Sequence, residues 1–232
     1  MNIACIIPAR GGSKGLPNKN ILPFAGKPLI NWSIDQAIHC PKINCGVYVT
    51  SDSDEILSIS SKNGATPIKR PDDLSNDIAS SESALIHAFD EISKNKTIDA
   101  IVFLQVTSPL RGPDDIEKAI TTFQSEQLDS LFSASTYEFG FLWKYTNQNL
   151  TAVNYDYKSR KRRQDITKEY IENGSIYVFK PDVLTQHKNR LGDKIGLFVM
   201  EPQWKLFEID NLFEFELCEF LFIKNKLDHI YD

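Results

Sequence analysis

The sequence predicts an α/β fold with a mostly parallel sheet flanked by helices, and three observations carry that expectation. Short β-rich apolar runs alternate with segments of helical spacing along most of the 232 residues. The stretch "DAIVFLQV" is apolar at consecutive positions, as a strand buried on both faces must be. Composition is that of a globular protein, with 41% apolar and 25% charged residues, and the chain is long enough to bury a sizeable core.

Taken in order, "NIACIIPA" is the first buried strand. "KPLINWSIDQAIHC" spaces Leu29, Trp32, Ser33, Gln36 and Ala37 at helical intervals, with Pro28 at a first-turn position. "CGVYVTS" is the second strand; "DSDEILSISSKNG" is a short helix with Ser51 or Asp52 as its expected cap and Gly64 as its C-terminal glycine. "ATPIKR" is the third strand. "SSESALIHAFDEISKN" then places Leu85, Ala88, Phe89 and Ile92 on one helix face, ahead of "DAIVFLQV". A helix from about Pro113 to Gln124 and a strand at "SLFSAST" complete the first half.

From Tyr137 to Lys168 the rhythm breaks into an aromatic and basic stretch with strand-like pieces at "FLWKYT" and "LTAVNY". A parallel sheet needs crossover helices and this stretch offers none, so 137–168 reads as an excursion from a core made of 1–136 and 169–232. Alternation returns at "GSIYVFKP" and "IGLFVM". A last, very apolar helix runs from Leu212 to about Lys226, with Phe213, Phe215, Leu217, Phe220, Leu221 and Phe222.

The net charge of −5 argues against a general nucleic-acid binder. Cys5, Cys40, Cys45 and Cys218 lack C-x-x-C spacing and read as reduced thiols, which points to a cytoplasmic protein. No window approaches the ~18 apolar residues of a membrane span, and the first apolar run is too short for a signal-peptide core.

The stretch with chemistry in it is "PARGGSKGLPNKN", a loop between the end of the first strand and the next helix, where nucleotide-binding α/β proteins hold phosphate. Gly11, Gly12 and Gly15 let backbone approach an anion, and Arg10 and Lys14 supply fixed charge. It is neither a Walker A loop nor G-x-G-x-x-G, so position and composition leave a phosphate loop and a plain basic turn both open. A lone D-x-D in "SDSD" is weak evidence for a metal site, and the scattered histidines have no metal-ligand spacing.

The loop closely resembles the first motif of the CMP-sialic acid synthetases, the acylneuraminate cytidylyltransferases, which include the legionaminic and pseudaminic acid enzymes. "KRPDDLSNDIASS", "LQVTSPLR", "ENGSIYVF" and "FEIDNLFEFE" resemble that family's later motifs in the same order, across nearly the whole chain. The resemblance implies a Rossmann-like nucleotidyltransferase core of the nucleotide-diphospho-sugar transferase type, with a small dimerisation excursion. It implies that the anomeric 2-hydroxyl of a nine-carbon 2-keto sugar acid attacks the α-phosphate of CTP, giving a CMP-sugar and pyrophosphate. Such a transfer depends mainly on positioning and on charge neutralisation.

By resemblance, Arg10, Gly11, Gly12, Ser13 and Lys14 would hold the triphosphate, Asn20 the nucleoside portion, and Arg70, Ala79 and Ser81 the base pocket. Gln105, Thr107, Ser108, Asn173 and Tyr177 would face the sugar acid, while Lys144 and Arg163 in the excursion would meet its acidic group. Arg111 ranks as structural. Ile171 stands where sialic acid enzymes commonly carry an arginine, which favours an acid of the legionaminic or pseudaminic type. Val106 also departs, from a common proline.

Arg10, Lys14 and Asp210 are the catalytic candidates. Mg²⁺, with Mn²⁺ as the alternative, is expected on Asp210 and on Glu208, which replaces the family's usual aspartate. The spacing i and i+2 puts both carboxylates on one face of an extended segment. A homodimer is expected, with no nucleic acid or membrane partner. The alternatives are a CMP-Kdo-type synthetase, a glycosyltransferase and a non-catalytic nucleotide-binding protein of the same architecture.

Overall fold

The computed structural model describes every residue except Lys14, 75–79, 138–139, 163–164, 166 and 230–232. β1 (Ile3–Pro8) lies inside a seven-stranded sheet with β4 (Val47–Ser51), β5 (Thr66–Lys69), β6 (Ala100–Leu104), β7 (Ser130–Tyr137), β10 (Glu169–Phe179) and β11 (Ile195–Val199). Their spatial order is β11-β7-β10-β6-β1-β4-β5. The expected alternation with helices is present: α1 (Leu29–Ile38), α2 (Asp54–Lys62), α3 (Ser81–Ser93), α4 (Asp115–Ser125), α5 (Pro181–His187) and α6 (Leu212–Lys224).

The uninterrupted apolar run of β1 has a direct cause. Ile3, Cys5 and Ile7 join a core with α1, α2, α4 and α6, whereas Ala4 and Ile6 join one with α3 and α5. Successive side chains enter opposite layers, so Ile3 to Ile7 are all buried and only Pro8 at the strand's end is partly exposed. The register sets Cys5 against Val47 on one side and Val102 on the other, both in parallel ladders.

β10 is the exception in direction, pairing antiparallel with β6 and β7. The chain leaves β7, makes its excursion without a crossover helix, and re-enters from the same edge, so its next strand must run downward. This strand starts at Glu169, earlier than the expected "GSIYVFKP", and its register with β7 shifts between Glu172 and Tyr177. The irregularity includes Gly174 at φ +65°.

Several local expectations are corrected. The cap of α2 is Ser53, whose Oγ accepts from the Ile56 N–H at 3.4 Å, while Ser51 Oγ accepts from Ser53 and Asp52 turns elsewhere. Pro28 ends a small hairpin of β2 (Pro23–Phe24) and β3 (Lys27–Pro28) instead of occupying the first turn of α1. α5 had no counterpart in the sequence reading. Gly64 does lie at φ +89° after α2.

α6 ends at Lys224 and begins with an Asn211/Glu214 capping box. Only Phe215, Cys218 and Phe222 of it are buried; Leu212, Phe213, Phe220 and Ile223 face outward. Its inward aromatics meet α1 and the β2–β3 turn, with Phe222 4.7 Å from Trp32 and 5.2 Å from Phe24 between ring centroids. The excursion forms a separate hairpin, β8 (Trp143–Thr146) with β9 (Asn149–Ala152). All four cysteines are free thiols. Among the described residues no helix is long and apolar enough to cross a membrane.

Arg111 is fully buried and ties the centre together. Its guanidinium donates to the carbonyls of Gln105 and Ser175, to Ser33 Oγ and to Gln36 Oε1. Gln36 in turn donates to the Pro109 carbonyl. Replacement by Met keeps bulk but leaves these buried acceptors unpaired. Arg111→Met is therefore expected to lower unfolding free energy by about 3 kcal/mol, measured by urea denaturation; a change under about 1 kcal/mol would contradict this role.

Candidate active site

The loop after β1 emerges at the C-terminal edge of the parallel strands, beside the ends of β4, β5 and β6. Asn20 Nδ2 donates to the Arg10 carbonyl at 2.9 Å, and the Gly11 N–H donates to Asp52 Oδ1 at 2.9 Å, so the loop is braced from both sides. A methyl group added at Gly12 would meet nothing within 4 Å. Packing does not demand that glycine, and the backbone there stands open to a ligand.

Arg70, at the end of β5, is only 6% exposed. One terminal nitrogen lies 3.9 Å from Asp52 Oδ1, yet its Nε and that same nitrogen have no hydrogen-bond partner among the described residues. Buried guanidinium nitrogens without acceptors are costly, so this position is suited to a ligand oxygen or nitrogen. Burial pulls its pKa below the usual arginine value; Asp52 opposes that pull and Arg10 adds to it. Ser81, the first residue of α3, is exposed just after its cap Ser80. Ser13 is half-buried in the loop. Lys14, Ala79 and Arg163 lie outside the described residues.

The other side of this edge is acidic. Ile209 is buried between Glu208 and Asp210, which both face outward, as the i, i+2 spacing requires. The Ile209 N–H donates to the Thr107 carbonyl at 2.8 Å, fastening the segment behind β6. Lys19 then bridges to the first loop: its Nζ donates to the Ile209 carbonyl at 2.6 Å and to Asp210 Oδ1 at 3.0 Å. At Gly15 the approach is so close that a Cβ would lie 2.2 Å from the Asp210 carbonyl oxygen.

Glu208 reaches toward Gly174 and Gln105: a Cβ at Gly174 would lie 3.1 Å from Glu208 Oε2 and 3.3 Å from the Gln105 amide. Desolvation raises the Glu208 pKa above the usual carboxylate value; Asp210 raises it further and Lys19 lowers it. Two close carboxylates with one ammonium between them are short of positive charge. That is a fit for a divalent cation completed by phosphate oxygens. Among the described residues no cluster of three or more His, Cys, Asp and Glu offers an all-protein metal cage.

The remaining candidates divide. Gln105 Nε2 is 3.4 Å from Thr107 Oγ1 at the end of β6. Tyr177 stacks on Phe103 at 5.2 Å, and its hydroxyl donates to Glu172. Asn173 and Ser108 are buried, and the Asn173 amide is engaged inside the core. Its Oδ1 accepts from Ser133 Oγ at 2.6 Å and its Nδ2 donates to the Lys205 carbonyl and to Met200 Sδ. Lys144 is exposed on the β8–β9 hairpin.

Sequence reasoning missed two participants. Lys19 has no assigned role in the sequence motif, although its buried ammonium joins the first and last motifs. Asp52 read as a cap, although its position at the C-terminal end of β4 was the signal that it faces the same edge.

The profile of the cytidylyltransferase family matches residues 4–227. The pseudaminic acid cytidylyltransferase of Campylobacter jejuni is 34% identical over 237 aligned positions, covering 99% of this chain and 98% of that protein. The N-acylneuraminate cytidylyltransferase A of Danio rerio is 33% identical, covering 94% of this chain and 50% of that longer protein. Among solved structures, a CMP:2-keto-3-deoxy-manno-octonic acid synthetase complexed with CTP superposes with a TM-score of 0.71. It covers 97% of this chain and 100% of its own at 19% identity, so the likeness concerns the fold.

The raised pKa of Glu208 has a thermodynamic sign. The folded chain holds this proton more tightly than the unfolded chain, so stability falls as pH rises from the ordinary carboxylate range through the raised value. Glu208→Gln removes that penalty. The variant is expected to melt above the wild type at pH 7.5, the gap closing below about pH 4; an equal or lower melting temperature at pH 7.5 contradicts the assignment.

Proposed function

The chain belongs to the cytidylyltransferase family, and from that premise we propose that it activates a nonulosonic acid, a nine-carbon 2-keto sugar acid, with CTP. The observation that carries this reading is the meeting, at one sheet edge, of an open glycine loop, a buried arginine with two nitrogens lacking hydrogen-bond partners and a pair of carboxylates. Likeness over the full chain to a pseudaminic acid enzyme supports the substrate class, as does Ile171 in place of a second arginine.

In this reading the backbone of Gly11 and Gly12, with Ser13, Arg10 and Lys14, cradles the triphosphate. Arg70 donates its two open N–H groups to the O2 and N3 acceptors of cytosine, with Ala79 and Ser81 nearby. Asn20 fixes the loop by holding the Arg10 carbonyl. Gln105, Thr107 and Tyr177 orient the sugar acid, while Ser108 and Asn173 support that wall from the core. The anomeric 2-hydroxyl then bonds to the α-phosphorus, its proton is released, and the bond to pyrophosphate breaks. Arg10 and Lys14 offset the charge that develops on the leaving group.

Asp210 and Glu208 are the residues that would hold Mg²⁺. When bound, the ion would neutralise phosphate charge and polarise the P–O bonds. Lys19 keeps Asp210 at the loop and limits repulsion between the carboxylates. The free thiols accord with a cytoplasmic setting.

The same reading makes the protein a homodimer. Leu142, Trp143, Tyr145, Leu150 and Tyr157 are exposed on the excursion, Tyr145 by 76%. Trp143 contacts Tyr155 and Tyr157, and Phe141 stacks on Tyr155, so the hairpin is a preformed apolar surface. A second copy covering it would carry Lys144 and Arg163 toward the neighbour's sugar-acid pocket. Sedimentation at micromolar concentration is expected to give a dimer, with Tyr145→Asp shifting it to monomer; a monomeric wild type would remove this part of the proposal.

The central test is pyrophosphate release from CTP with Mg²⁺ and a panel of sugar acids, the eight-carbon Kdo included. Turnover with a nine-carbon acid is expected, and Arg70→Ala should raise the KM for CTP at least tenfold, about 1.4 kcal/mol. No pyrophosphate with any acid would sink the proposal.

A further inference from the structure

The two aspartates of "SDSD" part ways in the fold. Asp54 Oδ1 takes the Lys69 ammonium at 2.7 Å on the surface, where both side chains are exposed. Asp52 instead faces the site, between two groups that sequence places far apart. β1, β4 and β5 are neighbours in the sheet and run parallel, so their C-terminal ends lie side by side. Each end leads to one group: Gly11 in the loop after β1, Asp52 just after β4 and Arg70 just after β5. A single oxygen of the middle residue addresses both neighbours. Asp52 Oδ1 accepts from the Gly11 N–H at 2.9 Å and lies 3.9 Å from a terminal nitrogen of Arg70.

The surrounding backbone fixes that carboxylate in place. Lys69 Nζ donates to the Asp52 carbonyl at 2.7 Å, the Arg70 N–H donates to the Ser51 carbonyl at 2.8 Å, and the Ser53 N–H donates to Ser51 Oγ at 3.0 Å. Gly11 is small because of this contact: a Cβ there would lie 3.1 Å from Ser53 Cβ and 3.6 Å from Asp52 Oδ2. Arg10, next to Gly11, and Arg70 carry like charge. Burial lowers the Arg70 pKa most, Asp52 opposes that shift and Arg10 adds to it, so the three charges lie in one another's field. The carboxylate offsets the repulsion between the two arginines. At 3.9 Å it does so without a hydrogen bond to Arg70, whose Nε and terminal N–H groups stay available to a ligand.

We propose that Asp52 is a positioning residue that couples the two halves of the nucleotide site, bringing the triphosphate loop and Arg70 into place together, so that preference for CTP over UTP depends on it. The inference rests on the cytidylyltransferase reading, in which Arg70 donates to O2 and N3 of cytosine. Uracil carries a hydrogen at N3 and offers no acceptor there, so discrimination requires that the guanidinium be aimed.

The test is calorimetric titration of CTP and of UTP into the wild type, Asp52→Asn, Arg70→Ala and the double variant. Asp52→Asn keeps an oxygen for the Gly11 N–H and removes the charge. The wild type is expected to bind CTP about tenfold or more tighter than UTP. Asp52→Asn should weaken CTP binding about tenfold and reduce the preference to below about threefold. In the Arg70→Ala background the same change should cost less than about twofold, because the group through which Asp52 acts is gone. Asp52→Ala, which also releases Gly11, should lose the preference and weaken both nucleotides further.

Equal binding of CTP and UTP by the wild type, an unchanged preference in Asp52→Asn, or losses that multiply in the double variant overturn the inference and leave Asp52 a brace of the loop alone. Should Asp52→Asn or the double variant not fold, Asp52→Ala decides by the same ratio, which must fall. A wild type that binds CTP but releases no pyrophosphate with any sugar acid sinks the parent reading while the coupling remains measurable. One that binds neither nucleotide overturns both.

Discussion

The arrangement of the central sheet depends on one buried cation. Arg111 stands where β6 ends, β10 bends and α1 packs, and each of these leaves polar groups that water does not reach. One guanidinium answers them through its fixed fork, which no apolar side chain and no lysine could do with the same geometry. The Gln105 carbonyl is thereby held at the end of β6, and the Gln105 side chain with it, next to Gly174. A residue with no reacting atom near it thus determines where a wall of the cleft stands.

The cleft itself is organised by charge separation. Arg10 and Arg70 share one side with the open loop; Glu208, Asp210 and Glu214 occupy the other. Lys19 crosses between them and fastens residues 190 positions apart in sequence. The two sides thus face each other with opposite charge. The loop carries no acidic residue of its own; its carboxylate neighbours come from other segments, with Asp52 accepting from the Gly11 N–H and Asp210 from Lys19.

Much of the fold was legible because burial on two faces leaves an unmistakable trace: β1 and β6 are continuous apolar runs, β4 opens with one, and α1 and α3 show their inner faces by spacing. The direction of β10 was not, since an antiparallel strand inside a sheet covered on both faces has the same apolar signature as its parallel neighbours. α5 is too short to show periodicity. Motif order brought Arg70, Gln105, Tyr177 and Asp210 forward. It also brought forward Asn173, whose amide proves to be engaged with Ser133 and Lys205. A one-dimensional pattern marks that a residue is needed but not the direction in which its side chain points, and for the same reason it passed over Lys19 and Asp52.

The excursion leaves from the top of β7 and returns at the top of β10, and those ends are paired, Tyr137 opposite Glu169. Joining the ends of a segment already closed by a strand ladder costs little more entropy when the segment grows or shrinks. The hairpin is in effect a cassette plugged into a closed socket. Its length and its aromatic face can therefore change without renegotiating the register of the sheet.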